Sequence, residues 1–122
     1  MREIKFRAWD KDEKRMTTTF SVSSQGQVTF TPLGESTRYL TGYILMQFTG
    51  LLDKNGKEIY EGDLVTEHIG EGKCGVYRVG FNSGHFTLTE IKNGYDKMGI
   101  WNVNKNLEII GNVWENPKLL ER

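Results

Sequence analysis

Met46-Gln47-Phe48-Thr49-Gly50-Leu51-Leu52-Asp53-Lys54-Asn55-Gly56-Lys57-Glu58-Ile59-Tyr60-Glu61-Gly62-Asp63-Leu64-Val65 is the stretch that decides the fold. Met46 and Phe48 alternate with Gln47 and Thr49, the period of a strand. Asn55 and Gly56 accept positive φ at low cost, so they suit a tight turn. Ile59-Tyr60 then resumes an extended run, Glu61-Gly62-Asp63 turns it again, and Leu64-Val65 opens a core strand. The pattern is strand, turn, extended piece, turn, strand. A Gly-Asp pair leading into Leu-Val is an entry into a small SH3-like barrel by analogy.

Outward from this stretch the chain stays strand-like. Ala8 is the only alanine, whereas Val, Ile, Thr, Phe, Tyr and Trp supply 40 of the 122 residues. Those types favour strands, and alanine is the strongest helix former. Fourteen glycines punctuate the chain at short intervals. Upstream, residues 3–9 alternate as a half-buried strand, with Ile4, Phe6 and Ala8 on one face. Met16, Thr18, Phe20 and Val22 mark a second strand, and Val28 and Phe30 a third, together suggesting a meander. Residues 32–37 read as a loop and residues 38–45 as extended, with room for one helical turn. Downstream, strands are expected over residues 64–69, 76–81, 86–91, 100–103 and 107–114. The uneven spacing of Val76 and Val79 suggests a bulge near Gly80. The expected fold is all-β: a small SH3-like or related barrel over about residues 46–116, with the 64–114 strands as its body. An N-terminal strand set packs on it, and the length fits one domain over residues 1–122.

Three separated motifs resemble the YopX family of small proteins carried by bacterial phages and prophages. They are Lys5-Phe6-Arg7-Ala8-Trp9-Asp10, then Phe48-Thr49-Gly50-Leu51 with Asp53 to Asp63, and Ile110-Gly111-Asn112-Val113-Trp114-Glu115-Asn116-Pro117. They lie in the family's order and span nearly the whole chain around a variable middle. The resemblance implies a fold and a phage context. It supplies no catalytic residues.

Charge and cysteine content narrow the function. Sixteen basic and sixteen acidic residues cancel, whereas a domain living on nucleic-acid phosphates is usually basic overall. One cysteine, Cys74, excludes an internal disulfide and a cysteine-rich zinc cluster. The sequence holds no apolar run long enough to span a membrane and no signal-peptide pattern at its start. The expected location is the cytoplasm of the bacterial host.

Sites of known chemistry fail on inspection. Gly70-Glu71-Gly72-Lys73-Cys74-Gly75 spells a dinucleotide fingerprint, but a strand rather than a helix N-terminus follows it. Gly56-Lys57 and Gly72-Lys73 lack the Ser or Thr of a P-loop. Asp53-Lys54-Asn55 opens like a calcium loop, but Lys57 and Glu58 stand where a ligand and a glycine are needed. His68, Cys74 and His85 are too few for a zinc site, although the two histidines fall on neighbouring expected strands and could face each other. The carboxylates of Asp10, Asp12 and Glu13, and of Glu58, Glu61 and Asp63, fall in turns where solvated turn roles outweigh acid–base chemistry. No catalytic residue, metal or cofactor is expected. Asn55, Gly56, Gly62 and Asp63 read as structural turn residues.

A binding role has more to stand on. Trp9 lies opposite Phe6 and Ala8, so it is either exposed or buried against a second layer or a partner. A large aromatic beside Arg7 has hot-spot composition, and Tyr60 sits on a turn where binding residues often lie. Arg7, Trp9 and Tyr60 are therefore the candidate binding residues, for self-association as a homo-oligomer or for a host or phage protein. The alternative is a nucleic-acid-binding barrel in phage DNA replication or regulation, with Lys5, Arg7 or Arg78 forming the patch.

Overall fold

The structure is a computed structural model and describes residues 3–97, 100 and 104–121. Among these residues there is no α-helix, only two short 3-10 turns, and the rest of the regular structure is β. The strands are β1 (Phe6–Asp10), β2 (Arg15–Thr17), β3 (Ser21–Val22), β4 (Val28–Phe30), β5 (Arg38–Tyr39), β6 (Tyr43–Leu52), β7 (Glu58–Tyr60), β8 (Asp63–Ile69), β9 (Gly72–Asn82), β10 (His85–Glu90), β11 (Asp96–Lys97) and β12 (Leu107–Asn112). The expected strand at 100–103, with Trp101, lies largely outside the described residues.

Three sheets result. A four-stranded sheet runs β2-β1-β6-β7, a five-stranded sheet β11-β10-β9-β8-β12, and a three-stranded sheet β3-β4-β5. The five-stranded sheet curls into a half-barrel. Its inner face carries Val65, Tyr77, Val79, Leu88 and Leu107, with Ile59 of β7 and Ile100 buried in the same cluster. Two-residue turns join β8 to β9 and β9 to β10. Ser83 and Gly84 join β9 to β10 with φ of 54° and 84°, the pair of left-handed residues that a two-residue hairpin prefers. The bulge expected near Gly80 sits instead at Gly75 and Val76. Val65 pairs Tyr77 and Glu67 pairs Cys74, so one extra β9 residue intervenes. Gly75 takes φ +68° there, and the slip lets Val76 and Val79 both be buried.

The N-terminal part departs from a single meander. β1 and β2 form one hairpin and β3 and β4 another, in different sheets. The break falls in the threonine run, where Thr19 N donates to Thr17 Oγ1 at 3.1 Å. A hydroxyl that satisfies a nearby backbone N–H competes with the ladder. Residues 38–45 are extended apart from a turn at 41–42. The strand beginning near Met46 pairs through the ladder with β1: Arg7 lies opposite Met46 and Trp9 opposite Ile44.

β1 consequently has two covered faces. Arg7 and Trp9 look toward the half-barrel, as the contacts described next show. Ala8 is wholly buried and Asp10 nearly so. In the same cross-strand rows, Arg15, Thr17 and Tyr43 look across a groove at Phe30 and Leu40.

Candidate functional site

The turn stretch lies at the seam between the four-stranded sheet and the half-barrel, and its polar residues are occupied there. Thr49 Oγ1 donates to Ile59 O at 2.8 Å and accepts from Leu51 N, closing a bulge at Gly50. Asp53 is buried; its Oδ1 accepts from Asn55 N and Lys57 N, and its Oδ2 from Ile109 N at 3.0 Å. One carboxylate thus folds its own turn and ties it to β12. Burial pushes the Asp53 carboxyl up, but the three backbone donors prevail and hold it below its ordinary range. Glu61 Oε1 accepts from Gln47 N at 2.8 Å.

Arg7, Tyr60 and Asp63 are brought together. Arg7 Nη2 donates to Asp63 Oδ1 at 2.8 Å and to Glu61 O at 3.1 Å. Its guanidinium carbon lies 4.8 Å from the centre of the Tyr60 ring, within cation–π reach. Asp63 Oδ2 accepts from Tyr60 N. Burial pushes the Asp63 carboxyl above its usual range, against the pull of Arg7 and the two hydrogen bonds. Burial likewise raises the Tyr60 phenol, helped by the nearby Glu58.

Gly62 turns the chain between them with φ +85°. Gly62 N donates to Val79 O, and Gly62 O accepts from Val113 N. A side chain there would meet Met46 Sδ at 2.9 Å, so glycine is required by both conformation and space. Asn55 and Gly56 occupy the exposed tip of the earlier turn, where Gly56 has φ +81° and no neighbour around its missing side chain.

Trp9 is not exposed. It is 8% accessible and stacks on Trp114, with ring centroids 6.5 Å apart and planes 18° from parallel. Of the placements its parity allowed, the second layer of the same chain is the one found. Asn112 builds the other side of that contact. Its Oδ1 accepts from Trp114 N and Glu115 N, and its own N donates to Asn116 Oδ1. These bonds end β12 at Asn112 and swing Trp114 back onto Trp9. The pair floors a shallow groove of about 620 Å³ rimmed by Lys11, Lys14, Glu115 and Pro117.

The other expected groups are dispersed. β9 separates His68 from His85, and the two lie against opposite ends of it, at Lys73 and Asn82. The facing arrangement therefore fails, because the hairpin order places a strand between them. His68 Nε2 instead lies 2.8 Å from Glu108 Oε1, and that hydrogen bond lowers the Glu108 carboxyl. Cys74 is exposed. Among the described residues no cluster of three metal-ligating side chains occurs, and no helix is long and apolar enough to cross a membrane. Sequence reading missed Asp53 and Asn112 as fold-determining groups. Their signal was the Asx-turn pattern of each, an acid or amide shortly before a turn.

Fold and seam together define a class: an all-β protein whose half-barrel is locked to a second sheet by a buried Arg–Asp pair and a Trp–Trp stack. The family model described as YopX protein matches residues 5–121, and the chain belongs to the YopX family. The chain is similar to protein EF1440 from Enterococcus faecalis, with 25% identity, a TM-score of 0.66, and coverage of 98% of this chain and 99% of that one. It is also similar in fold to protein yopX from Bacillus subtilis, with 23% identity, a TM-score of 0.64, and coverage of 100% of this chain and 98% of that one. No curated protein matches the chain.

Proposed function

We propose that this protein is a non-catalytic protein-interaction module encoded by a phage or prophage and working in the cytoplasm of the bacterial host. The observation that carries the reading is the exposure of large apolar side chains on and beside the three-stranded sheet. Phe30, Leu33 and Tyr39 are exposed there, Tyr39 at 61%. Phe30 and Tyr39 stand on opposite faces of that sheet, since Tyr39 pairs Thr29 and Phe30 pairs Arg38, and large exposed apolar side chains on a small sheet favour association with protein. The seam adds support, because the carboxylates of Asp53, Glu61 and Asp63 accept hydrogen bonds within the chain and serve the fold. Of the expected nucleic-acid patch, Lys5 is paired with Glu58 and Glu3 and Arg7 with Asp63, which leaves Arg78 as its exposed member and disfavours that reading. Trp9 is buried and offers no ring for a base to stack on.

The test is affinity capture of the tagged protein from lysogenic or infected cells, with and without nuclease. A partner protein retained at stoichiometric level after nuclease treatment, and lost with a Phe30→Glu/Tyr39→Glu double variant, supports the reading. Binding only to DNA or RNA, with an affinity that falls steeply as salt rises, overturns it.

A further inference from the structure

We propose that the outer edge of β2 and the groove beside it hold an extended segment of the partner as an added strand. The segment would be apolar at alternate positions and carry a carboxylate opposite Arg15. This rests on the protein-interaction reading above and names its site.

The backbone pattern leaves that edge open. Phe48 N donates to Lys5 O, and Lys11 N to Gly42 O. In an antiparallel ladder, residues alternate in the side to which they offer N–H and C=O. Residues 5, 7, 9 and 11 thus bond toward β6, and Ala8 and Asp10 toward β2. Their partners are Thr17 and Arg15, so those two bond inward and Met16, between them, offers its N–H and C=O outward. β2 is the terminal strand of its sheet. An unpaired edge of this kind is a template for a further strand.

The side chains along the edge specify what would lie there. A groove of about 520 Å³ is lined by Arg15, Met16, Thr17, Phe30, Leu40 and Tyr43, among others. Its lining mixes the apolar Met16, Phe30 and Leu40 with Arg15 and threonines, and Phe30 is exposed. Arg15 is exposed at one end and has no ion pair among the described residues. The nearest acid, Asp10, is already committed. It accepts from Glu13 N and Asp12 N, and these bonds, with the Tyr43 hydroxyl and the charge of Arg15 across the strands, pull its carboxyl down despite burial. An exposed arginine that makes no direct ion pair among the described residues, beside a groove that carries Met16, Phe30, Leu40 and Tyr43, complements a carboxylate on a partly apolar strand, in the way charge-assisted pairs fix register.

The experiment selects binders from a random peptide library on the full-length protein and measures the best as synthetic peptides. The expected sequences alternate apolar residues and carry an acid. Arg15→Glu and Phe30→Glu should each weaken them roughly tenfold in proteins that keep wild-type thermal unfolding. N-methylation of alternate peptide amides should abolish binding, and hydrogen exchange should show the Met16 amide newly protected. Failure to select any peptide, selection of basic sequences, indifference to both variants, or an unprotected Met16 amide would each overturn the assignment. So would a wild-type homodimer that Arg15→Glu dissociates, since the edge would then belong to a second copy. If cellular capture still recovers a protein partner while Arg15→Glu and Phe30→Glu leave that capture unchanged, the general reading stands and only this site falls. If capture recovers nucleic acid alone, the general reading falls.

Discussion

The Arg7 guanidinium on β1 and the Asp63 carboxylate at the start of β8 are 2.8 Å apart, with 13% and 3% of their side-chain surfaces accessible. They come from different sheets and from the first and second halves of the chain. A buried pair need not stabilise more than a well-packed apolar one, but removing one partner strands a charge. Arg7→Ala is therefore expected to cost about 3 kcal/mol, read by chemical denaturation.

The pH dependence of that loss carries the sign. Burial raises the Asp63 carboxyl in the folded state, so the folded chain holds this proton more tightly than the unfolded chain. That contribution is full below the ordinary carboxylate range and is lost as pH rises through the folded value. Arg7 opposes the loss by stabilising the ionised form. Arg7→Ala should thus be penalised more at pH 7 than at pH 4, and Arg7→Ala/Asp63→Asn should recover part of the stability at pH 7. A penalty independent of pH would mean that Arg7 acts only by packing on Tyr60.

Asp53 has the opposite sign. Its folded carboxyl is lowered by Ile109 N, Lys57 N and Asn55 N in spite of burial. Its stabilisation is present above the ordinary carboxylate range and lost as pH falls through the folded value. Asp53→Ala should cost on the order of 2–3 kcal/mol, because it leaves backbone donors without their acceptor. Thermal unfolding against pH should show a shallower acid limb for Asp53→Asn than for wild type.

Two glycines with the same backbone conformation separate strain from collision. Gly56 and Gly62 have φ of 81° and 85°. Around Gly56 there is open space, whereas a side chain at Gly62 meets Met46 and Trp114. Gly56→Ala should cost about 1 kcal/mol, the left-handed penalty alone. Gly62→Ala should cost more, roughly 2 kcal/mol or above, and Gly62→Val more again. Equal costs for the two alanine variants, measured by denaturant titration, would show that Met46 yields without penalty.

Much of this architecture was legible because turn chemistry is local. Asn55-Gly56 and Glu61-Gly62-Asp63 declare their turns by residue type, and the strand-forming composition declares the class. The Gly75 bulge was legible only as uneven valine spacing, since Gly75 and Gly80 are equally permissive on paper. The sheet change after Thr17 was not legible, because a threonine run suits a strand and its break rests on a side-chain hydrogen bond. The seam was invisible for a deeper reason. Parity assigns Arg7 and Trp9 a common face, but the layer that covers that face is built by residues more than fifty positions away.

Trp9 tests that last point most directly. Its ring lies on Trp114, which is held in place by the Asn112 turn, and Gly62 backs the same contact. An aromatic buried between two sheets of its own chain contributes to stability, while an exposed hot spot contributes to association. Trp9→Ala should therefore lower stability by roughly 3 kcal/mol or more, as aromatic truncations in a core do. It should also shift the tryptophan emission of the folded protein, because Trp114 loses its stacking partner. Asn112→Ala, which unties the turn without touching either ring, should reproduce part of both effects. Sedimentation of folded Trp9→Ala, under conditions where it remains folded, should match wild type. A stable Trp9→Ala with altered assembly would instead place the ring in an interface and return Arg7 and Tyr60 to the binding surface with it.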